Sequence, residues 1–469
     1  MNDAPAFAVV GHPNKGKSSL VATLARDASV RIGPEPGTTR ETRRFPMRVD
    51  GQVIYMLVDT PGFQRARAAL AWMRERETDA ASRPRVVEEF VRTHAGGELF
   101  HDECELLRPI TEGAGIIYVV DGAAPYGSEY DAEMEILRWT GRPSMAVINP
   151  IGQPRFVEPW RDALEQFFRV VRVLDVMRAP FAQQLEVLRA FGELRETWHE
   201  PLERAVNALL DHRHRQFEDA ARVIAEMAAA ALTHRETRDL ARGEDAQRHR
   251  AAVEEKFRGR LRQLEHRART EVESIYGHDG LDRRETEMEI LDTDLFSRES
   301  WLAFGLKRRD LVAVGAVGGA VTGGAVDAAL LGHSFLAGTV IGGVVGGALG
   351  YFTSDKLAEV KVLRQPLGGE RLCCGPTRNL QFPFVLLGRA VRHHELVAGR
   401  THARRDALDV AAAGSAAITW TDAEKRELVR LCDRLRRSEP ATESRATAVN
   451  TLAEILVRKM APPEEQSIG

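Results

Sequence analysis

Gly11-His12-Pro13-Asn14-Lys15-Gly16-Lys17-Ser18 sets two glycines, a lysine and a hydroxyl at the spacing G-x-x-x-x-G-K-[ST]. That combination points to phosphate chemistry. The glycines let the chain turn so tightly that successive amides and a helix N-terminus converge on anionic oxygens. Gly11, Asn14, Lys15, Gly16, Lys17, Ser18 and Ser19 would line the phosphates. Lys17 would reach the β- and γ-phosphates, and the Ser18 hydroxyl would bind Mg²⁺. Further on, Val53 to Val58 is an apolar run that delivers Asp59, followed by Thr60-Pro61-Gly62. A carboxylate at a strand's C-terminal end lies where α/β sheets bind ligands, so Asp59 can hold Mg²⁺ and the Gly62 amide can face the γ-phosphate. Between the two motifs, Pro36-Gly37-Thr38-Thr39-Arg40 offers hydroxyls. Taken alone, Thr39 reads equally well as a loop threonine making a local turn bond. Its place between the loop and Asp59 makes it a switch candidate.

The elements that must position these groups are legible nearby. Phe7 to Val10 reads as a buried strand feeding the loop, and Ser18 to Arg26 as the helix leaving it. Further strands are predicted near 42–49, 52–59, 115–121, 143–149 and 170–174, the second and third joined by the tight turn Val49-Asp50-Gly51-Gln52.

The series G-x-P-N-x-G-K-S, G-T-T-R and D-T-P-G resembles the Era/TrmE-like branch of the P-loop GTPases over roughly residues 5–180. The resemblance implies an α/β P-loop GTPase domain, a mostly parallel sheet with helices on both faces, that uses GTP/GDP and Mg²⁺. It makes Thr39 the switch-I ligand of Mg²⁺ and the γ-phosphate, and Lys17, Thr39 and Gly62 the catalytic groups. Asn14 matches an asparagine that coordinates K⁺ in several members. Phe63 stands where Ras-like proteins place a catalytic glutamine. An apolar ring cannot orient water, so hydrolysis should be slow without a cation, backbone groups or a partner. At the base-reading end such GTPases carry N-K-x-D, whereas this chain has Asn149-Pro150-Ile151-Gly152, and Asp175-Val176-Met177 stands in place of S-A-K. Asn149 survives, but Gly152 offers guanine no carboxylate, and GTP over ATP is not secured by these residues. A narrower resemblance extends over nearly the whole chain. It is to predicted bacterial GTPases in which an Era-like domain precedes a C-terminal domain of unknown function, with no established cellular role.

At 469 residues the chain allows two to four domains. Sixty-five basic and sixty-eight acidic residues give a net charge of −3, which argues against a nucleic-acid partner. Four cysteines without a C-x-x-C framework fit a reducing cytoplasm, and no cleavable signal is expected before the first strand. The predicted organisation is a GTPase domain over 1–180, a charged helical stalk or bundle over 181–305, a hydrophobic hairpin over 306–356 and a mixed, mostly helical region over 357–469. Residues 64–112 read as long and helical, either a surface for self-association or a protein partner or an elaboration packed on the domain. The basic residues from Arg248 to Arg269 alternate with acids, as on a solvated helix face. His393, His394 and His402 read as surface histidines, since no Cys or carboxylate stands at convincing ligand spacing.

Residues 311–352 form the second informative feature. Leu311–Leu331 and Phe335–Phe352 are twenty-one and eighteen residues long and nearly free of charge. A helix of about twenty residues spans a ~30 Å hydrocarbon core. Gly315, Gly319 and Gly323, then Gly338, Gly342, Gly346 and Gly350, recur every fourth residue, a glycine-zipper groove for close helix packing. Lys307, Arg308 and Arg309 before it and Lys356 after it place both ends on the cytoplasmic side if it enters lipid. A hairpin buried inside a soluble helical domain stands as the other reading.

Three functions follow. The first is a nucleotide switch that hydrolyses GTP with Mg²⁺ at the cytoplasmic face of the inner membrane, with the K⁺ stimulation that the resemblance implies. The second is a ribosome- or RNA-associated assembly GTPase, by analogy with Era-like relatives. The third is a remodelling protein of weak turnover, resembling dynamin-like proteins in its order of domains.

Overall fold

The computed structural model describes residues 4–26, 41–49, 51–241, 244–278, 352–356, 361–362, 365–366, 370–377, 379–403, 420–438 and 442–461. They fall into two compact units, Met1–His214 with Gly399–Arg405, and Arg215–Ala398 with Asp406–Gly469.

The first unit is built on six strands, β1 (Ala6–Val10), β2 (Arg43–Val49), β3 (Gln52–Asp59), β4 (Gly115–Asp121), β5 (Ser144–Asn149) and β6 (Val170–Val173). They lie in the order β2-β3-β1-β4-β5-β6. Only β2 runs antiparallel to its neighbour; the other pairs are parallel. Alternation along β1 explains the layers. Phe7 and Val9 face one apolar core with Leu20, Ile117, Val119 and Phe191, while Ala8 and Val10 face another with Ile116, Tyr118, Ile136 and Trp160. A strand buried on both faces needs apolar residues throughout, which is why these runs read as continuous.

Helices cover both faces. On one lie α1 (Lys17–Ala25) and α7 (Phe181–Gly192); on the other lie α2 (Ala66–Arg74), α3 (Arg83–His94), α4 (His101–Thr111), α5 (Glu129–Trp139) and α6 (Val157–Leu164). Residues 64–112 thus pack as part of the domain: Leu70, Met73, Val87, Phe90 and Leu107 are all buried. The unit runs past residue 180, where the sequence reading ends the GTPase domain. The reason is packing. Phe191 meets the Phe7 ring at 4.2 Å, and Trp198, on α8 (Glu196–Thr233), meets it edge-on at 5.3 Å.

In the second unit, the rest of α8 joins α9 (Ala246–Ile275), α10 (Phe382–Ala398), α11 (Asp422–Arg437) and α12 (Glu443–Met460) around one apolar core. Mainly helical is therefore right, but a small sheet was not anticipated. β7 (Glu236–Leu240) and β8 (Phe352–Lys356) both pair antiparallel with β11 (Glu370–Cys374), and the two-residue strands β9 (Lys361–Val362) and β10 (Gln365–Pro366) pair with each other. Residues 352–356, assigned above to the hydrophobic hairpin, are corrected to strand because their backbone partners lie on β11. The remainder of that hairpin lies outside the described residues. Among the described residues no helix is long and apolar enough to cross a membrane.

The surface reading of His393 and His394 is also corrected. Both are buried in α10, where His393 Nε2 bonds Glu273 Oε1 at 2.9 Å and His394 Nε2 bonds the Tyr276 hydroxyl at 2.8 Å. The face of α9 from Arg248 to Arg269 is mixed. Arg267 pairs with Glu271 in solvent, whereas Glu265 turns inward and holds both Arg269 (2.8 Å) and buried Arg389 (2.7 Å). Unpaired, such charges would cost several kcal/mol each to bury.

Candidate nucleotide site

Parallel pairing of β1 with β3 sets Val9 opposite Asp59. The loop that begins at Gly11 and the carboxylate that ends β3 therefore emerge side by side. Ser18 Oγ donates to Asp59 Oδ2 at 2.8 Å. Lys17 is buried at the centre of the loop, its Nζ donating to the carbonyls of Gly11 (3.1 Å) and His12 (2.9 Å). Burial lowers its pKa from 10.5 to about 8, against the opposing pull of Asp59 and Glu133. An anion bound beside it would favour the ammonium.

Asn14 is exposed in a left-handed conformation, φ 59°, and Gly16 follows at φ 90°. A Cβ on Gly16 would lie 2.3 Å from Asn149 Nδ2. Gly62 is equally constrained, since a Cβ there would lie 2.6 Å from the Pro13 nitrogen. The D-T-P-G turn thus rests directly on the phosphate-binding loop, helped by a bond from the Phe63 amide to the Gly11 carbonyl at 3.4 Å. The Phe63 ring is buried in the core, 1% exposed. It has no part in orienting water. Ser19 is buried at the start of α1, and Lys15 Nζ pairs with Asp121 at 3.7 Å.

Asn149, at the end of β5, ties two loops together. Its Nδ2 donates to the Lys15 carbonyl at 3.2 Å and its Oδ1 accepts from the Val176 amide at 3.3 Å. Gly152 has φ 101° and nothing within 4 Å of a Cβ position. Ile151, next to it in the chain, and Met177, after β6, are exposed apolar side chains.

The oxygen donors Ser18 and Asp59 suit Mg²⁺, which prefers hard oxygen ligands. They already lie within a hydrogen bond of each other, so the set fits that ion. Thr39 and its segment fall outside the described residues. The structure therefore brings together Gly11, Asn14, Lys15, Gly16, Lys17, Ser18, Ser19, Asp59, Gly62 and Asn149 along one edge of the sheet.

Several contacts escaped sequence reasoning. His12 Nδ1 bonds buried Glu133 at 2.8 Å, and the Tyr118 hydroxyl donates to the other oxygen of Glu133 at 2.8 Å. Glu103, 1% exposed, accepts from the amides of Gln64 (2.8 Å) and Arg65 (2.5 Å). A readable signal existed for both. Glu103 shares a helical stripe with Leu106, Leu107 and Ile110, and Glu133 shares one with Ile136 and Leu137. A carboxylate on a buried stripe must have a partner.

With this geometry in place, comparison with known proteins agrees on the domain. The family model described as "50S ribosome-binding GTPase" matches residues 6–149. GTPase Der of Paraburkholderia phymatum is 29% identical over 145 residues, 31% of this chain and 26% of that relative. GTPase Der of Mycoplasma pneumoniae is 48% identical over 59 residues, 13% of each chain. The chain thus spans about a quarter or less of the length of these curated relatives. Among solved structures, Aquifex aeolicus Era bound to GDP.AlF4- matches at TM-score 0.28 and 17% identity, over 60% of this chain and 91% of that one. Era in complex with MgGDPNP and a 16S ribosomal RNA fragment matches at TM-score 0.29 and 16% identity, with the same coverage. Residues 6–149 thus match a GTPase family model and are similar to the GTPase Der relatives. A second family model, described as "Domain of unknown function (DUF3482)", matches residues 161–460, more than half of the chain, and the chain belongs to that family.

Proposed function

We propose that the chain is a Mg²⁺-dependent GTPase that works as a nucleotide switch. One observation carries this reading: Lys17, Ser18 and Asp59 converge at the C-terminal ends of β1 and β3, with the Ser18 and Asp59 side chains 2.8 Å apart. The loop amides and Lys17 bind and orient the phosphates and stabilise the charge that develops on them. Ser18 and Asp59, with Thr39, would hold Mg²⁺, which when bound neutralises β- and γ-phosphate charge. Gly62 presents its amide to the γ-phosphate. Because Phe63 is turned into the core, no side chain at that position orients the attacking water, and unassisted turnover is slow. Asn14 would contribute an oxygen to K⁺, so turnover should be faster in K⁺ than in Na⁺.

The test is phosphate release from GTP by purified protein, wild type against Lys17→Ala, in K⁺ and in Na⁺. Hydrolysis retained in the variant would refute the site assignment.

Where the switch acts rests on other features. Length, glycine spacing and basic flanks of residues 311–352 favour the cytoplasmic face of the inner membrane. The description of the family matching residues 6–149 favours a ribosomal partner instead. Recovery in a carbonate-washed membrane pellet supports the first. Nucleotide-dependent co-sedimentation with ribosomal subunits supports the second.

A further inference from the structure

Two residues of α4, Glu103 and Glu105, reach Thr42 before β2 and the residues that follow Gly62. Glu103 accepts from the amides of Gln64 and Arg65, the two residues that follow Gly62-Phe63. Arg65 is the N-cap of α2, and its own side chain makes no capping bond. Glu103 therefore supplies from another helix the acceptor that α2 lacks, and its charge lies against the positive end of that helix. Two residues on, Glu105 Oε2 accepts from the Thr42 amide at 3.2 Å, and the Thr42 hydroxyl donates to the Glu105 carbonyl at 2.8 Å. Thr42 is three residues beyond Thr39 and directly precedes β2. One turn of α4 thus holds both Thr42, just before β2, and the entry to the segment after Gly62.

We propose that Glu103 and Glu105 are positioning residues for GTP hydrolysis, fixing the backbone on both sides of the γ-phosphate site. This rests on the GTPase reading above. In a site where the residue after D-T-P-G is a buried phenylalanine, water must be placed by main-chain groups. Main-chain groups are only as well placed as the chain that carries them. A nearly buried carboxylate gripping two consecutive amides is a rigid means of holding that chain. Its attachment to the same helix that holds Thr42 lets displacement of one segment reach the other.

The test compares wild type, Glu103→Gln, Glu103→Asp and Glu105→Gln, with Lys17→Ala as the inactive reference. The readouts are kcat and KM for GTP, the Kd of fluorescent GDP, and thermal melting. Glu103→Gln keeps the shape and an acceptor but loses the charge, so kcat should fall by roughly ten-fold. GDP affinity should stay within about two-fold, because the phosphate-binding loop is untouched. Glu105→Gln should lower kcat less, and Glu103→Asp, too short to reach both amides, should lower it more than Glu103→Gln. A cap that merely stabilises α2 would lower the melting temperature and leave kcat unchanged, which would overturn the proposal. Equal losses in kcat and GDP affinity would overturn it too. Wild type no faster than Lys17→Ala would instead bring down the GTPase reading and this proposal with it.

Discussion

The two ends of the nucleotide site are built to different standards. At the phosphate end the described groups each have their place: Lys17 is buried between carbonyls, Ser18 bonds Asp59, and Gly16 and Gly62 stand where no side chain fits. At the base end Asn149 is occupied as a tie between the Lys15 carbonyl and the Val176 amide, and Gly152 replaces the carboxylate that would read guanine. On the proposed GTPase reading, the difference predicts that affinity is a matter of phosphate and metal, and that discrimination between bases should be weak. A hydrogen-bonding site rejects the wrong ligand by leaving a buried polar group unpaired, and Gly152 has none to leave.

The sharpest way to break this comparison is Lys17→Ala. It should cut kcat for GTP by roughly 10³-fold, since it removes the buried ammonium that would stabilise the transferring group; phosphate release measures it. Asn149→Ala should come next, weakening GTP and GDP alike by roughly ten-fold through loss of the tie between the two loops. Equilibrium titration with GTP, GDP and ATP checks this, and a loss confined to guanine nucleotides would contradict the structural role. Gly152→Asp should then restore a carboxylate and raise the preference for GTP over ATP by roughly ten-fold. Its φ of 101° would cost about 1 kcal/mol of stability, visible as a small drop in melting temperature. Smallest of all should be the wild-type preference itself, with Kd values for GTP and ATP within about ten-fold of each other. A 10³-fold preference for GTP would show that something other than Gly152 reads the base.

Much of this was legible in the sequence, for a physical reason. Backbone demands are local: a chain that must wrap a phosphate needs glycine at 11 and 16, lysine at 17 and a hydroxyl at 18, and no other residues do that work. Strand limits were equally plain, because β1, β4 and β5 are buried on both faces and read as unbroken apolar runs. What stayed hidden is non-local. Glu103 meets residues 38 and 39 positions away and Glu133 meets one 121 away, and no spacing rule reaches that far. The sheet of the second unit was missed because Glu236-Thr237-Arg238-Asp239 carries no apolar alternation; its ladder with β11 is what makes it a strand. His393 and His394 read as surface histidines because no ligand spacing claims them, whereas Glu273 and Tyr276, far away in sequence, supply the partners that make burial tolerable.

One short stretch of chain has a practical consequence. Gly399–Arg405 belongs to the first unit, where Thr401 Oγ1 donates to the Met177 carbonyl at 3.0 Å and Ala403 is buried among residues that include Leu174 and Val176. The loop that follows β6 is therefore braced by residues more than two hundred positions downstream. A fragment cut after residue 180 would keep the glycine loop and Asp59 yet lose this brace. Nucleotide measurements on such a truncation would describe a looser pocket than the intact polypeptide possesses.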